Sequence, residues 1–583
     1  MPYSLLGLSK KTQLPPGTDK ELSETFLNFF NEKIDNIRDT LDLQTTLPVD
    51  LRQSQGSILS DFHEISQDDI IKCIHDSSTK TCDLDPIPTS LLKECMSDLA
   101  PYITNVINAS LTSGAVPDLY KQAVVKPLLK KSGLDEHQLK NFRPVSNLNF
   151  LSKILERVVL NQILQHIESN NLGELYQSAY KQNHSTETAL LKVTSDILDE
   201  IDDKKVCFLV LLDLSAAFDT IDHEILIKRL QTSFLLSGTV LDWFKSYLDE
   251  RYMSVKVGNE MSKKTLLKYG VPQGSVLGPV LFTMYVQPLS KLIHDFGLQC
   301  HLYADDTQLY CSCAIDDIEN VINTISQCIN AISLWMNTNK LKLNEDKTEA
   351  ILFGTSKSIK EISCEYLMVC DNKILLSDTV KNLGVTLDRE LSMTQHITSL
   401  CKSLNFQLRK IGNIRKYLTN DITKTLVTSL ILSKLDYCNA LLGGLPQESI
   451  HKLQNVQNNA ARLITLSRKR DHITPILRDL HWLSVRDRIV FKICLLCHKC
   501  LNNSAPIYLS NGLTRYIPAR PLRSASDQTI LVKPERNYKA YGQRSFQFLA
   551  PRIWNELPRN IREEASVNSF KSQLKTHLFS SSY

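Results

Sequence analysis

Three aspartates stand next to apolar stretches in a pattern that points to chemistry. Asp213 directly follows the apolar run Val206–Leu212, and Asp305 and Asp306 are adjacent in LYADDTQLY. A carboxylate at the end of a buried strand loses hydration, and adjacent carboxylates repel each other, so both arrangements cost free energy unless a cation relieves them. Mg²⁺ is a hard cation that prefers carboxylate and phosphate oxygens. Three converging carboxylates could hold two such ions about 3.5–4 Å apart, one activating a 3′-hydroxyl and the other stabilising a leaving pyrophosphate.

Each of these motifs also has an ordinary structural explanation when it is taken alone. Adjacent aspartates are common in turns, and Asp213 could simply end a strand. The two motifs are 92 residues apart, and a glycine-containing loop lies between them. This combination favours one shared site over two unrelated turns.

The elements that must position the aspartates are predicted from hydrophobic periodicity. The uninterrupted run Val206–Leu212 has the length of a buried strand, and Leu298–Tyr303 and Thr307–Cys311 flank the aspartate pair as a hairpin. Strands and helices alternate from about Lys121 to Leu387, and the chain is mostly helical after Asp388. Further strands are expected at Val124–Leu129 and Val255–Val257. Helices are expected at Leu22–Ile37, Asp68–Ile74, Ser90–Met96, Ile103–Ser113, His223–Gln231, Ile318–Asn337, Ile422–Leu432, Ile450–Leu466 and Arg486–Leu501, with a loop-rich connection over residues 504–536.

Length and composition exclude several classes of protein. The chain has 583 residues, of which 42% are hydrophobic and 22% charged, so a disordered or collagen-like chain is excluded. No apolar stretch approaches the roughly 20 residues that span a bilayer. The N-terminal sequence MPYSLLGLSKKTQL lacks the basic start and the apolar core of a secretory signal. The 15 cysteines lack the spacing of a disulfide framework. This favours a reducing compartment, the nucleus or the cytoplasm. No membrane partner is expected.

The net charge of +4 conceals a strong asymmetry. Residues 401–583 contain 29 Lys and Arg against 11 Asp and Glu, a balance of +18, whereas residues 1–400 have a balance of −14. A basic C-terminal third indicates an anionic partner such as nucleic acid. A helical domain with a basic outer face remains the alternative.

The motifs, taken in order, resemble those of reverse transcriptases. LLDLSAAFDTIDHEIL resembles motif A, GVPQGSVLGPVLFTMYV motif B, LYADDTQLY motif C and LKLNEDKTEAILFG motif D. NFRPVSNLNFLSKILERVV and YQSAYKQNHSTETAL resemble the finger motifs, and KNLGVTLDREL resembles the segment after motif D. All occur in family order over about Lys121–Leu391.

The resemblance is closest to the non-LTR, LINE-type retrotransposon polymerases. RPVSNL followed by SKILERVV, the AFDTIDH form of motif A and VPQGSVLGP carry it. SKLDYCNALLGGLP, KLQNVQNNAARLI and APRIWNELP resemble the region after the polymerase in the Jockey and chicken-repeat groups. The resemblance thus extends from about residue 60 to the end of the chain.

This resemblance implies an α+β fold organised as a right hand. Fingers and a ferredoxin-like palm sheet that carries the aspartates are expected in residues 121–391. An α-helical thumb and a basic helical C-terminal region are expected in residues 392–583. A helical N-terminal extension of the polymerase is expected in residues 61–120 and a linker-like N-terminal segment in residues 1–60.

The implied activity is RNA-directed DNA polymerisation. Its partners would be an RNA template, a DNA primer or target and dNTPs, and its cofactors two Mg²⁺ ions, for which Mn²⁺ could substitute. Two alternatives remain open. One is a catalytically silent or domesticated nucleic-acid-binding remnant of such an element. The other is an RNA-dependent RNA polymerase, which Phe218 and the LINE-like flanks disfavour.

The resemblance also assigns residue roles. Asp213, Asp305 and Asp306, with the carbonyl of Leu214, match the metal ligands, and Lys347 matches the motif D lysine that could protonate pyrophosphate. Phe218 matches the sugar gate that excludes a ribose 2′-hydroxyl, although it could be ordinary core. The remaining nucleotide-binding candidates are Gln273 and Gly274 of motif B, and Arg143 and Lys181 of the finger motifs.

The C-terminal region contributes two further hypotheses. Its basic residues suit contacts to a nucleic-acid backbone; the candidates are Arg468, Lys469, Arg470, Arg486 and Arg488. CLLCHKC contains Cys494, Cys497, His498 and Cys500, which could form a zinc knuckle, but a buried helical face is the simpler interpretation. No stretch resembles the apurinic-type endonuclease or a ribonuclease H, so a truncated or domesticated copy, or an incomplete front end, is expected.

Overall fold

The computed structural model describes residues 14–42, 54–131, 133–369, 372–517 and 529–582. The predicted α+β class is confirmed, because mixed sheets and many helices are both present. None of the described helices combines the length and the apolar character that a bilayer crossing requires.

The strands of the described sheets lie between residues 122 and 388, and helices occur throughout the described chain. The strands are β1 (Gln122–Leu129), β2 (Phe142–Leu148), β3 (Val206–Leu212), β4 (Leu214–Ser215), β5 (Tyr252–Val257), β6 (Glu260–Met261), β7 (Thr265–Leu266), β8 (Gln299–Tyr303), β9 (Asp306–Cys313), β10 (Lys342–Leu343), β11 (Glu349–Phe353), β12 (Tyr366–Val369), β13 (Asn372–Leu375), β14 (Thr379–Asn382) and β15 (Val385–Asp388). The helices of the N-terminal part and the polymerase motifs are α1 (Asp19–Asp42), α2 (Gln67–His75), α3 (Thr89–Glu94), α4 (Met96–Ser113), α5 (Phe150–Ser169), α6 (Thr186–Asp202), α7 (His223–Thr232), α8 (Gly238–Leu248), α9 (Gly278–Val286), α10 (Pro288–Asp295), α11 (Ile318–Thr338) and α12 (Ser356–Glu361). The helices of the C-terminal part are α13 (Thr394–Ile414), α14 (Asn420–Val427), α15 (Ser433–Leu435), α16 (Gln447–Thr465), α17 (Ile473–Asp479), α18 (Val485–Leu501), α19 (Ile507–Ser510), α20 (Phe546–Asn555), α21 (Arg559–Arg562) and α22 (Val567–Ser582).

Four antiparallel strands form the palm sheet, in the order β11-β3-β9-β8. Its central strand β3 is covered on both faces. Phe208 and Val210 belong to a core that also contains Phe282 of α9, whereas Cys207 and Leu209 belong to a core that includes helices of the C-terminal part. A strand with two buried faces is apolar throughout, and this is why the sequence predicts it at its observed bounds.

The fingers sheet joins β1, β2 and β5, with the short β6 and β7 beside β5. Helix α1 packs on it, because Phe26 and Phe30 share a small core with Val125 and Phe142. The same helix reaches the palm through an ion pair from Arg38 to Asp222, 2.7 Å long. The described part of the segment predicted as linker-like, residues 1–60, therefore contains a helix that packs on the fingers sheet and pairs with Asp222.

The C-terminal helices dock on helix α6 of the palm. The Asp202 carboxylate accepts hydrogen bonds from the backbone N–H groups of Asn537 and Tyr538, each 2.7 Å long. Arg536 forms a 2.8 Å ion pair with Asp199. These contacts make the C-terminal part continuous with the palm.

Most predicted elements are present, but several bounds and helices differ. The predicted hairpin is β8–β9, and the predicted helix from Ile318 is α11. Helix α4 begins at Met96 and continues through Pro101, so it starts earlier than the predicted Ile103–Ser113. Helices α5 and α6 were not predicted. Helix α5 buries side chains on most of its surface, so its sequence shows no clear apolar stripe.

Candidate active site

The three aspartates meet at one end of the palm sheet. Leu212 of β3 lies opposite Thr307 of β9, so the same register continued by one residue places Asp213 opposite Asp306. Asp305 lies between β8 and β9, in the aspartate turn Tyr303–Asp306. The sheet therefore brings together the two motifs that are far apart in the chain.

The charges of these aspartates act on one another. Burial, together with the charge of Asp213, raises the pKa of Asp305. Loss of hydration and the charges of Asp305 and Asp213 raise the pKa of Asp306 to about 6. Because each carboxylate disfavours ionisation of the next, the site is suited in charge to a divalent cation.

A lysine supplies the positive charge that Asp213 meets in this structure. The Nζ of Lys347 lies 2.8 Å from an Asp213 carboxylate oxygen, and the side-chain amide of Asn344 lies 3.3 Å from the same oxygen. Among the described residues, no three His, Cys, Asp or Glu side chains are grouped so that they could hold a metal ion as they stand. A cation bound at Asp213 would compete with Lys347 for this carboxylate. Leu214 follows on β4, paired with Leu343.

Phe218 lies in the loop after Asp213, which turns sharply at Ala216, a non-glycine residue with φ of 53°. Its ring is half-buried and packs on Phe282, with the ring centroids 4.8 Å apart. The side chain is therefore a core contact that is also partly exposed.

Motif B is hydrogen-bonded to motif A and to strand β2 of the fingers sheet. The Gln273 side-chain amide donates a 2.7 Å hydrogen bond to the Asp219 carboxylate, and the Gln273 carbonyl accepts one from the Ser146 N–H at 2.8 Å. Gly274 has φ of +134°, and a Cβ there would lie 2.2 Å from the Ser146 carbonyl oxygen. The close approach that this glycine permits is thus to strand β2.

Two acidic residues that the sequence did not single out hold this loop. Burial raises the pKa of Asp219 to about 6, although its hydrogen bond from Gln273 opposes the shift. The buried Glu156 of α5 accepts hydrogen bonds from the backbone N–H groups of Val276 (2.7 Å) and Leu277 (3.0 Å). A lone acid within the apolar stretch SKILERVV was the signal that could have identified Glu156.

The predicted basic residues of the finger motifs are Arg143 and Lys181, and they have different surroundings. Arg143 is exposed on β2, opposite Leu128 of β1. Lys181 donates a 3.1 Å hydrogen bond to the Glu174 carbonyl, and the preceding Tyr180 has a pKa that burial and the Asp305 charge raise. Lys130, which sequence reasoning did not assign, donates a 2.7 Å hydrogen bond to the Lys140 carbonyl, and its pKa is lowered by burial and by the charges of Lys33 and Lys347.

The basic candidates of the C-terminal part divide into two groups. Arg468, Lys469 and Arg470 are exposed between α16 and α17, and Arg486 is exposed at the start of α18. Arg488 forms a two-pronged ion pair with Asp436, 2.7 and 2.9 Å long, so its charge is already neutralised within the chain.

The cysteines of CLLCHKC point into the core from helix α18. Cys494, Cys497 and Cys500 are buried. His498 makes a 2.6 Å hydrogen bond to the Glu564 carbonyl and stacks on Phe570. This arrangement is the buried helical face that was the simpler of the two interpretations.

Comparisons with known proteins agree with this geometry. Residues 128–387 match the family described as reverse transcriptase (RNA-dependent DNA polymerase). The chain is 26% identical over 518 residues to the probable RNA-directed DNA polymerase from transposon BS of Drosophila melanogaster, covering 86% of this chain and 54% of that protein. It is 26% identical over 438 residues to the RNA-directed DNA polymerase from mobile element jockey of Drosophila funebris, covering 73% and 46%. The chain thus spans about half the length of these relatives.

A solved structure of apo telomerase from Candida tropicalis, truncated from its C-terminal domain, covers 53% of this chain and 62% of its own, with 12% identity and a TM-score of 0.33. The family match itself contains all three aspartates and every candidate of motifs A to D. Residues 128–387 therefore match the reverse transcriptase family, and the chain is similar over most of its length to RNA-directed DNA polymerases of mobile elements, in agreement with the observed α+β fold.

Proposed function

We propose that this chain copies RNA into DNA. A primer 3′-hydroxyl loses its proton to solvent and attacks the α-phosphorus of a dNTP bound beside the aspartates, a new P–O bond forms, and the P–O bond to pyrophosphate breaks. The observation that carries the proposal is the meeting of Asp213, Asp305 and Asp306 at one sheet end, where burial and neighbouring carboxylate charges raise the pKa values of Asp305 and Asp306. Such mutual repulsion is unfavourable unless a cationic ligand or cofactor is bound.

Asp213, Asp305 and Asp306, with the carbonyl of Leu214, are the residues proposed to hold two Mg²⁺ ions. Bound there, the ions would supply Lewis-acid chemistry, lowering the pKa of the attacking hydroxyl and stabilising charge on the leaving pyrophosphate. Mn²⁺, which accepts the same oxygen ligands, is the expected substitute. The chain orients the carboxylates, because β3, β8 and β9 fix the backbone positions of the three aspartates.

Lys347 is proposed to have two successive contacts. Its ammonium neutralises Asp213 in this structure at 2.8 Å, and it is two-thirds exposed, so it is free to move. Released from Asp213, the same ammonium would be able to donate a proton to the leaving pyrophosphate.

The nucleotide is proposed to lie between the fingers and the palm. Arg143 and Lys181 would bind its triphosphate through charge-assisted hydrogen bonds. Gln273 and Gly274 form the floor of the pocket, fixed by Asp219 and Ser146. Phe218 fills the space beside C2′ and so selects deoxynucleotides. Arg468, Lys469, Arg470 and Arg486 are proposed to contact template or primer phosphates.

Primer extension on an RNA template, with Mg²⁺ and either dNTPs or rNTPs, tests the proposal. The chain should extend with dNTPs. Asp305→Asn keeps the size of the side chain but removes a charge that the ions need, so extension should fall by roughly three or more orders of magnitude while template affinity stays within a few-fold. Asp316→Asn, at an exposed aspartate after β9, is the matched control.

Each alternative has its own outcome in this experiment. Preferred extension with rNTPs indicates an RNA polymerase. Template binding without extension indicates a silent remnant. Substantial synthesis by the Asp305→Asn variant would refute the metal assignment.

A further inference from the structure

A short segment of the finger motif runs beside the aspartate turn. The N–H of Leu302, in β8, donates to the Tyr176 carbonyl at 2.9 Å, and the N–H of Ser178 donates to the Leu302 carbonyl at 3.0 Å. Leu302 directly precedes the aspartate turn. The segment Tyr176–Ala179 therefore acts as an additional strand at the edge of the palm sheet.

The side chain of Gln177 reaches from this segment into the turn itself. Its Oε1 accepts hydrogen bonds from the N–H of Ala304 (3.0 Å) and from the N–H of Ala179 (2.9 Å). Ala304 has φ of 57°, a left-handed conformation that non-glycine residues adopt only when their surroundings impose it. Gln177 is 5% exposed, so the bond to Ala304 forms away from solvent.

The next residue, Ser178, connects this segment to the C-terminal part. Its hydroxyl lies 2.8 Å from His301 Nε2 and 2.8 Å from the hydroxyl of Tyr508 in helix α19. The Tyr508 hydroxyl also donates to Thr188 Oγ1 of helix α6 at 3.1 Å. The Tyr508 ring meets the His301 ring edge-on, with centroids 5.0 Å apart. Ser178, His301 and Tyr508 are all at most 6% exposed.

The hydrogen bonds that join Ser178, His301 and Tyr508 fix the orientation of each group, which close packing alone does not do. Buried hydroxyl groups need partners, and each bond fixes the orientation of the next group. Within the described residues, Nδ1 of His301 has no hydrogen-bond partner, so its ring orientation depends on Ser178. His301 lies in β8, only one residue before Leu302.

We propose that Tyr508, which lies 330 residues after Ser178 in the sequence, is a positioning residue for the aspartate turn. It acts through Ser178, which holds His301 and places Gln177 against Ala304. The proposal rests on the proposed polymerase function, and it gives the C-terminal part a role in the geometry of catalysis in addition to nucleic-acid contact.

Tyr508→Phe tests this link, because it keeps the ring contact with His301 and removes only the hydroxyl. Loss of the two buried hydrogen bonds of this hydroxyl, to Ser178 and to Thr188, should lower kcat for single-nucleotide addition about fivefold. KM for dNTP and the affinity for template–primer should stay within about twofold, because no phosphate contact is removed. Tyr516→Phe, at an exposed tyrosine of the same region, should leave all three quantities unchanged.

A second measurement does not depend on polymerase activity. Amide hydrogen exchange of the peptide that contains Ala304 should become faster in Tyr508→Phe and in Gln177→Leu, but not in Tyr516→Phe. If the unmodified chain fails to extend a primer, the proposed function fails, and the exchange experiment still decides whether Tyr508 reaches the turn.

The double variant Tyr508→Phe, Ser178→Ala separates coupling from general destabilisation. If both residues act through one chain of hydrogen bonds, the double variant should lose no more kcat than the stronger single variant. Additive losses would overturn the proposal. Unchanged exchange at Ala304, or a lower melting temperature with unchanged kcat, would also overturn it and leave Tyr508 as an ordinary core residue.

Discussion

At the scale of single residues, Phe218 combines a packing contact with partial exposure to solvent. A residue that serves only the core is buried, whereas Phe218 is half-buried and packs on Phe282 with one face. The remaining surface lies in the loop that follows Asp213. Phe218 therefore contributes to packing, and as the proposed sugar gate it would also limit the space beside C2′ of a bound nucleotide.

Phe218→Val should therefore change nucleotide selection more than stability. Opening space beside C2′ should raise ribonucleotide over deoxynucleotide incorporation roughly 10- to 100-fold, measured as the ratio of the two kcat/KM values. Phe282→Leu is the control, because it loosens the packing without shortening residue 218. If the ratio is unchanged in an active Phe218→Val enzyme, Phe218 belongs to the core.

Asp219 makes a prediction about pH. Burial raises its pKa in the folded chain to about 6, above its ordinary value of 3.8. The folded chain thus binds more protons than the unfolded chain between these values, and stability falls as pH rises through this range. Asp219→Asn keeps an acceptor for Gln273 and removes the titration.

The melting temperature of Asp219→Asn, relative to the unmodified chain, should therefore be higher at pH 8 than at pH 4. The difference should stop changing with pH below about pH 3, where Asp219 is largely protonated in both the folded and the unfolded chain. Thermal unfolding of both proteins across pH 4–8 measures it. A pH-independent difference would mean that Asp219 is not the titrating group.

At the scale of elements, helix α1 connects the fingers to the palm. Its apolar face packs on the fingers sheet through Phe26 and Phe30. At its other end, Arg38 pairs with Asp222, the residue that caps helix α7, and stacks over Tyr269. Burial opposes ionisation of Asp222, but Arg38 and the bond from the Ile225 N–H keep its pKa below the ordinary value.

Arg38→Ala should destabilise the chain by about 3 kcal/mol, because it leaves a largely buried carboxylate without its partner. Lys228→Ala is the matched control: its 3.9 Å ion pair with Glu224 is exposed and should contribute less than about 0.5 kcal/mol. Urea unfolding at pH 7 compares the two. Equal effects would show that α1 is only loosely attached to the palm.

The sequence predicts these elements unevenly, for physical reasons. Strand β3 was predicted at its observed bounds because both faces are buried, and the aspartates were found because carboxylates at strand ends need compensation. The contacts Gln177–Ala304, Asp219–Gln273 and Glu156–Val276 join residues 54 to 127 positions apart. No local pattern marks such pairs, since each depends on how sheets and loops come together.

At the scale of the whole molecule, the basic residues of the C-terminal part fall into two groups, those paired within the fold and those exposed on the surface. Residues 401–583 have a balance of +18. Some of these charges serve the fold, as Arg488 does with Asp436 and Arg536 with Asp199. Others, including Arg468, Lys469 and Arg470, are exposed in one turn. The excess charge on the surface is what a nucleic-acid backbone would meet.

Neutralising Arg468, Lys469 and Arg470 together, each to Gln, should weaken RNA or DNA binding with little dependence on sequence. Each phosphate contact contributes ~0.9 to the slope of log affinity against log salt on duplex DNA and ~0.7 on a single strand, so the slope should flatten by about 2–3 units if all three reach phosphates. Processivity should fall more than single-nucleotide addition, because the palm is untouched. Arg488→Gln is the contrasting variant: it breaks the ion pair to Asp436, so stability should fall while the salt slope stays the same. If the triple variant also loses only stability, the turn between α16 and α17 is part of the helical scaffold, and the charge asymmetry is a surface property without a role in binding.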